Sequence, residues 1–222
     1  MRAATIVLRL AGALAIVAAI VGQLTLSYAN WTATGADVGF QFVNFFSFFT
    51  IDANVLSAIV LVIGAVFTAR RMPDPTWFAV ARGSVVTYMV VTGIVYNLLL
   101  RGIELPQGTT LAWSNEVLHV VAPIVLVLDW LFAPGRVELA TRRIWIIIVF
   151  PLVWAVYTLV RGPLAIDHRT GDAWYPYPFM NPATSENGYL SVSFYILLIT
   201  VIIGLAAAGV IWVSRKRMPV GA

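Results

Sequence analysis

The chain has 222 residues, of which 60% are hydrophobic and only 11% are charged, whereas about a quarter of the residues in a soluble domain are charged. This composition excludes an ordinary soluble domain and predicts an all-α membrane protein. There is no cysteine, which excludes disulfides, thiolate metal sites and cysteine nucleophiles.

Six apolar stretches are long enough to cross a hydrocarbon core of about 30 Å as helices. The first exceeds the roughly 7–15 apolar residues of a secretory signal, so we expect an uncleaved helix. Residues 1–222 are predicted to form one domain, a six-helix transmembrane bundle with a single long connection at 161–191. The predicted helices cover residues 5–26, 43–68, 77–100, 113–132, 144–160 and 192–213.

The basic residues indicate the orientation. Nine lie at one set of helix ends and three in the connections at the other, which predicts a cell-membrane protein with both termini in the cytoplasm and residues 161–191 outside. The net charge of +4 therefore requires no nucleic acid as a partner. The nine are Arg2, Arg70, Arg71, Arg136, Arg142, Arg143, Arg215, Lys216 and Arg217, and the three are Arg101, Arg161 and Arg169.

Three further charged residues lie inside predicted helices near their cytoplasmic ends. Arg9 and Arg82 follow the start of helices that enter from the cytoplasm, so we expect their side chains to extend to that surface. Asp129 lies near the inner end of helix four. An ion pair with Arg82 or another basic residue is expected for it.

A threonine and a histidine lie at similar positions in helices two and four. Both helices run from outside to inside, and Thr50 and His119 follow the predicted helix starts by seven and six residues, or about 10 Å at 1.5 Å per residue. Taken singly, each side chain is more typical of a structural hydrogen bond. Together they form a candidate site, because polar groups in hydrocarbon usually face a protein interior or a wet cavity.

Helical spacing selects the neighbours of Thr50. Ser47, Asn54 and Ser57, at −3, +4 and +7, share its face, whereas Asp52 points to nearly the opposite side. Asn54 is therefore a candidate donor to a developing oxyanion. Asp52 is either a partner for a neighbouring helix or a proton carrier.

The neighbours of His119 are also polar. Asn115 and Glu116 precede it by one turn, and Asn115 is a second candidate oxyanion donor. Pro123 cannot donate to the carbonyl of His119, which predicts a local break in helix four. Near the outer end of helix three, Tyr96 and Asn97 are additional candidate lining residues.

The long outer connection contains the aromatic run WYPYPF at residues 174–179. Such amphipathic aromatics are typical of an anchor at the membrane interface. A lid over the site is the alternative, since prolines stiffen the loop. His168 lies in the same connection and is expected to be solvated.

Three segments together resemble a known family: FFSFFTIDANVL at 45–56, LHVVAPI at 118–124 and YPYPF at 175–179. They resemble the predicted six-transmembrane protein family of bacteria. That family is similar to the eukaryotic androgen-induced and androgen-dependent tissue-factor-pathway-inhibitor-regulating membrane proteins. The resemblance extends from helix one to helix six.

The eukaryotic proteins are threonine hydrolases that cleave fatty acid esters of hydroxy fatty acids with a membrane-embedded Thr and His. The resemblance implies these roles for Thr50 and His119, and Asn54 matches an Asn of the eukaryotic proteins. A membrane lipid or acyl ester is the implied substrate, with no cofactor and no metal. A neutral imidazole is a suitable base for a hydroxyl nucleophile.

A second class of function uses the same polar pocket without covalent chemistry. Lipid-binding and transport proteins often contain helices interrupted by proline, and Pro123 and Pro151 interrupt two helices here. The small size and the lack of a repeat disfavour transport. Haem ligation by two histidines is disfavoured because His119 is the only histidine in a predicted helix.

Overall fold

The computed structural model describes residues 2–103, 110–167 and 170–216. Within these ranges the protein is helical, and six helices are long and apolar enough to cross a membrane. The predicted all-α, six-span architecture is therefore confirmed, although the side on which the termini lie stays a prediction. His168, Arg169 and Arg217 lie outside the described residues.

In the described ranges, seven α-helices and two π-helical turns build the six spans, and an eighth α-helix lies outside them. The second span is preceded by a separate short helix, and the third and fourth spans contain the π-helical turns. The helices are α1 (Arg2–Ala33), α2 (Val38–Phe45), α3 (Phe49–Ala69), α4 (Thr76–Val95, continued by the π turn Tyr96–Leu100), α5 (Ala112–Glu116), α6 (Ala122–Phe132, joined to α5 by the π turn Val117–Val121), α7 (Ile144–Arg161) and α8 (Tyr189–Ser214).

Helix α4 is the centre of the bundle. It contacts α3, α6, α7 and α8, while α1 packs along α3. Helices α7 and α8 are the least buried spans, and the side chains that they expose are mostly apolar. Such a surface suits hydrocarbon, because few exposed polar groups there have to be removed from water.

The predicted start of helix two at residue 43 is wrong. The short helix α2 ends at Phe45, and α3 begins only at Phe49 after an extended Phe48. The ring of Phe48 packs edge-on against Trp174 and Tyr177 at centroid distances of 5.6 Å each. These tertiary contacts accompany the break, which an apolar sequence pattern does not reveal.

The expectation that Arg9 and Arg82 extend to the cytoplasmic surface is also wrong. Both guanidinium groups are buried, and both bind Asp129, through Arg9 Nε at 2.6 Å and Arg82 Nε at 2.8 Å. Arg82 also pairs with buried Asp74 at 2.7 Å. The expected pairing of Asp129 with Arg82 is confirmed. This cluster of two arginines and two aspartates is neutral overall, so each buried charge has a partner that offsets part of its desolvation cost.

The Arg9 guanidinium needs a small neighbour. It also donates to the carbonyl of Gly64 and to the hydroxyl of Thr68. A Cβ atom added at Gly64 would lie 3.0 Å from the guanidinium carbon of Arg9. A glycine on α3 therefore allows α1 and α3 to approach closely where the charged side chain crosses between them.

The aromatic loop, residues 174–180, inserts into the end of the bundle at which α3 begins. Trp174, Tyr175, Tyr177 and Met180 are buried. The ring of Tyr175 lies so close to Gly162 that a Cβ there would be 2.1 Å from it. An anchor on the membrane surface is therefore excluded for these side chains, since they fill the bundle.

Candidate functional site

Thr50 lies in the first turn of α3. The first backbone N–H groups of a helix have no partner in their own helix, and the N–H of Thr50 donates to the phenol oxygen of Tyr177 at 3.3 Å. The hydroxyl of Thr50 lies at the same distance, 3.3 Å, from that phenol oxygen. Tyr177 therefore binds both the side chain and the backbone of the candidate nucleophile.

The side chain of Tyr177 is held by aromatic packing. Its ring lies 5.6 Å from Phe48, 5.9 Å from Trp154 and 5.2 Å from Phe179 between centroids. Burial raises the pKa of Tyr177 to about 12, although bonds from Thr50 oppose this. The phenol therefore keeps its proton near neutral pH and is available as a hydrogen-bond donor.

His119 lies in the π turn Val117–Val121, where the N–H of Ala122 donates to the carbonyl of Val117. The predicted break before Pro123 thus takes the form of a π-helical turn, a feature that occurs frequently at functional sites. Helix α4 approaches here at Gly93, where an added Cβ would lie 3.4 Å from Pro123 and 3.6 Å from the carbonyl of His119.

The imidazole of His119 has a defined orientation. Its Nδ1 lies 2.9 Å from the carbonyl oxygen of Asn115. Because a carbonyl only accepts, Nδ1 carries the proton of the neutral ring and Nε2 is left as the acceptor. The ring stacks on Tyr96 with centroids 4.1 Å apart and planes inclined by 23°.

Asn115 supports this arrangement from its side chain as well. Its amide nitrogen donates to the phenol oxygen of Tyr96, the residue on which His119 stacks. The backbone and side chain of Asn115 thus fix the position of the imidazole and of the ring beneath it. Tyr96 belongs to the other π turn, so the two irregular turns of α4 and of the fourth span meet at His119.

Asn54 joins the two halves of the site. It is fully buried, and its amide nitrogen donates to the carbonyls of Thr50 at 2.9 Å and of Leu118 at 3.2 Å. Both amide hydrogens are therefore used, and Asn54 lines neither cavity described below. This geometry makes Asn54 a clamp between α3 and the π turn that carries His119. It does not present a free donor to an oxyanion.

Thr50 lies in the walls of two cavities. The polar cavity, about 280 Å³, is formed by α1, α3 and the fourth span, and also contains His119. The apolar cavity, about 140 Å³, lies between α4, α7 and α8. Four residues line both: Thr50, Tyr96, Leu100 and Tyr177. The structure therefore places Thr50 and His119 in the wall of one cavity.

In the described part of the chain no hydrogen bond joins Thr50 directly to His119. The hydroxyl of Thr50 contacts Tyr177, and Nδ1 of His119 contacts Asn115. Access of the Thr50 hydroxyl to Nε2 of His119 thus requires a change of side-chain rotamer or a relay through one bound molecule.

Three other candidate residues do not line either cavity. Ser47 precedes α3, so it does not share a helical face with Thr50, and its hydroxyl contacts the carbonyl of Val43 and the phenol of Tyr157. Asn97 is exposed and bonds Arg101, which in turn forms an ion pair with Glu116 at 3.0 Å. We assign Asn97 and Glu116 to a surface network, since half of the Arg101 and Glu116 side chains is accessible.

Asp52 is partly buried in the first turn of α3 and lines neither cavity. Among the residues that the structure describes, its carboxylate has no hydrogen bond or ion pair. Its two proposed roles both stay predictions. No group of three or more potential ligands (His, Cys, Asp or Glu) that could hold a metal ion occurs in the described ranges.

The sequence reasoning missed several residues of the polar cavity. Tyr177 lies in a segment interpreted as an interfacial anchor or a lid and was not itself singled out, nor was Ser114. Gln23 and Ser27, one turn apart on α1, also line this cavity. Their i, i+4 spacing was the available signal, because two polar residues on one face of a membrane helix indicate a polar environment.

Comparison with protein-family models, with curated proteins and with solved structures found no significant match. Function is therefore inferred from the side chains and cavities.

Proposed function

We propose that this protein is an integral-membrane lipid ester hydrolase with Thr50 as nucleophile and His119 as general base. One observation carries the proposal: Thr50 and His119 line the same cavity. The carbonyl of Asn115 orients the ring so that Nε2 is the basic nitrogen. The carbonyl thereby supplies the orienting group that accompanies a nucleophile and its base in many hydrolases.

The reaction proceeds through an acyl intermediate. On substrate binding Nε2 of His119 takes the proton of the Thr50 hydroxyl, and the Thr50 oxygen forms a bond to the ester carbonyl carbon. The bond between that carbon and the alcohol oxygen breaks, and His119 returns its proton to the leaving alcohol. His119 then takes a proton from water, and the water oxygen forms a bond to the acyl carbon. The bond between that carbon and the Thr50 oxygen breaks, the carboxylic acid is released, and His119 returns the proton to the Thr50 oxygen.

The developing oxyanion needs donors close to the nucleophile. The phenol of Tyr177 is such a donor, since it accepts from the Thr50 N–H and can direct its own proton towards the Thr50 oxygen 3.3 Å away. Tyr177 replaces Asn54 in this role, because both amide hydrogens of Asn54 are engaged. Preorganised donors of this kind act more strongly in a site from which water is excluded.

The family, the substrate and the orientation belong to the same proposal. Membership of the predicted six-transmembrane family and action on fatty acid esters of hydroxy fatty acids rest on the three sequence segments. A cell-membrane location with both termini in the cytoplasm is supported by the unequal distribution of basic residues.

Purified protein in detergent micelles tests the catalytic proposal with p-nitrophenyl acyl esters and with a lipid ester. We expect Thr50→Val and His119→Ala each to abolish most hydrolysis, and the double variant to be little worse than either, because the two residues act as one unit. Thr50→Ser keeps the hydroxyl and retains activity. Full hydrolysis by folded Thr50→Val excludes the mechanism.

The matched control is Thr87→Val. Thr87 is also a buried threonine in a spanning helix, but its hydroxyl bonds only the carbonyl of Gly83 at 2.9 Å. This variant should keep the parent turnover. A loss of activity equal to that of Thr50→Val would assign the effect to helix packing.

A non-catalytic lipid-binding or transport protein is the second candidate. It is favoured by the contact between the Thr50 hydroxyl and Tyr177, which leaves the nucleophile without a direct bond to its base. This candidate predicts no ester hydrolysis in any variant and lipid binding that is unchanged in Thr50→Val. The same panel of proteins therefore separates the two functions.

A further inference from the structure

The apolar cavity borders the candidate catalytic residue, Thr50. Its wall includes Thr50 and Tyr177, and the remaining lining is almost entirely aliphatic or aromatic. The polar cavity meets it at these two side chains and at Tyr96 and Leu100. A molecule whose reacting carbon lies at Thr50 thus has an apolar compartment on one side and a polar compartment on the other.

The apolar cavity reaches the outer surface of the bundle. Two of its lining residues, Leu152 on α7 and Thr200 on α8, are exposed. The outer faces of these two helices are apolar. An opening between them therefore faces hydrocarbon, so an apolar chain can enter or leave it without crossing water.

One buried polar atom in this wall lacks a partner. Thr92 lines the cavity, and its buried hydroxyl has no hydrogen bond in the described part of the structure. A buried hydroxyl without a partner is unfavourable. An occupant that offers an oxygen atom as well as aliphatic carbon would satisfy it, which a pure hydrocarbon would not.

We propose that the apolar cavity between α4, α7 and α8 binds the unbranched acyl chain of an ester or fatty acid, with the carbonyl end at Thr50 and the chain leaving between α7 and α8. This inference rests on the proposed hydrolase function for its orientation. The cavity of about 140 Å³ is close to the roughly 150 Å³ of an apolar cavity that holds benzene. Its enclosed part therefore accommodates on the order of six carbon atoms.

Photolabelling tests the location of the chain without requiring turnover. The probe is a straight-chain fatty acid with a diazirine on about its sixth carbon, added to full-length His119→Ala protein in detergent micelles. We expect labelled peptides from residues 148–155 and 196–203, and competition by unlabelled palmitate. Labels confined to other helices, or labelling that palmitate does not reduce, would overturn the proposal.

Adjacent residues on α8 provide a matched pair. Thr200 lines the cavity, whereas Val201 is exposed and does not line it. Thr200→Trp should block the opening and lower labelling by about tenfold. Val201→Trp places the same ring on the outer face and should label like the parent. Equal labelling of the two variants contradicts the proposed chain position.

A second pair of variants, on α7, repeats the test in case a variant of the first pair does not fold. Ala155 lines the cavity and Val156 is exposed outside it. Ala155→Phe should reduce labelling and Val156→Phe should not, and size-exclusion chromatography identifies variants that remain folded. Normal labelling of folded Ala155→Phe would also overturn the proposal.

Turnover by the parent protein and these variants separates the acyl site from the hydrolase function. With p-nitrophenyl esters, kcat/KM of the parent should rise with chain length up to about six carbons and then level off. Labelling of the apolar cavity without any hydrolysis would support the acyl-chain site and contradict the hydrolase function. If Thr200→Trp and Ala155→Phe hydrolyse esters of every chain length like the parent, the acyl-chain site is contradicted and the hydrolase function is not.

Discussion

Replacement of Tyr177 by phenylalanine removes one oxygen atom from the centre of the site. That oxygen contacts the backbone N–H and the hydroxyl of Thr50 at 3.3 Å each, while the ring contacts with Phe48, Trp154 and Phe179 are retained. Two long hydrogen bonds are lost, so we expect a cost in stability of about 1 kcal/mol. As an oxyanion donor, however, Tyr177 should contribute roughly 10²–10³ in kcat, or about 2.7–4 kcal/mol.

The assay compares turnover with stability in one preparation. Steady-state hydrolysis of a p-nitrophenyl acyl ester gives kcat and KM, and thermal unfolding in detergent gives the stability change. The matched control is Tyr175→Phe, a buried tyrosine of the same loop that lines neither cavity. Parent kcat in folded Tyr177→Phe would refute its assignment as an oxyanion donor. Equal losses of kcat in both variants would indicate a general effect of the loop.

The same variant has a defined pH dependence. Burial raises the pKa of Tyr177 from its ordinary value of 10.0 to about 12. Between these values the unfolded chain loses the proton and the folded protein keeps it, so stability falls as the pH rises through this window. Tyr177→Phe should show a smaller fall, measured as the unfolding temperature against pH. An identical fall in both proteins would show that Tyr177 is not the group responsible.

The remaining predictions concern the supporting structure and the topology. Asn54→Ala should destabilise the protein by about 1–3 kcal/mol and lower kcat more than it changes KM. Ser57→Ala, which loses only a bond to its own helix, is the control and should do neither. Unchanged kcat in Asn54→Ala would exclude the role of Asn54 as a clamp. Asp129→Asn should cost about 3–5 kcal/mol in thermal unfolding, because it leaves two buried arginines with one carboxylate, and unfolding like that of the parent would contradict this. Reporter fusions at Gly135 and Gly171 should give opposite signals, and a cytoplasmic Gly171 would reverse the orientation.

The number and type of the spans could be predicted from the sequence. Membrane insertion depends on local hydrophobicity over about 20 residues, so composition along the chain was sufficient, and most predicted helix ends lie within a few residues of those observed. The positions of Thr50 and His119 as polar residues in apolar surroundings were visible for the same reason. The break before Pro123 was also local, because a missing N–H is a property of one residue.

Contacts between segments that are distant in the sequence determined where α3 begins and where the side chains of Arg9 and Arg82 point. Phe48 ends the helical path before Thr50 where it packs against an aromatic loop more than 120 residues away along the chain, and this moved Thr50 from mid-helix to a first turn. Arg9 and Arg82 turn inward because Asp129, on a different helix, lies between them. A sequence pattern assigns a residue to a depth and a face. Which partner meets that face is decided by how the helices pack.

Within the site, Tyr177 shows most clearly the difference between what the sequence predicts and what the tertiary structure decides. Its residue type and its loop predicted an interfacial anchor, since amphipathic aromatics gather at membrane surfaces. Only the packed structure brings its phenol to Thr50 and places it between the polar and apolar cavities. The sequence by itself therefore determined a membrane-spanning helical protein with a polar Thr and His. The tertiary structure decided which groups surround them, because hydrogen-bond partners and cavity walls are properties of several segments together.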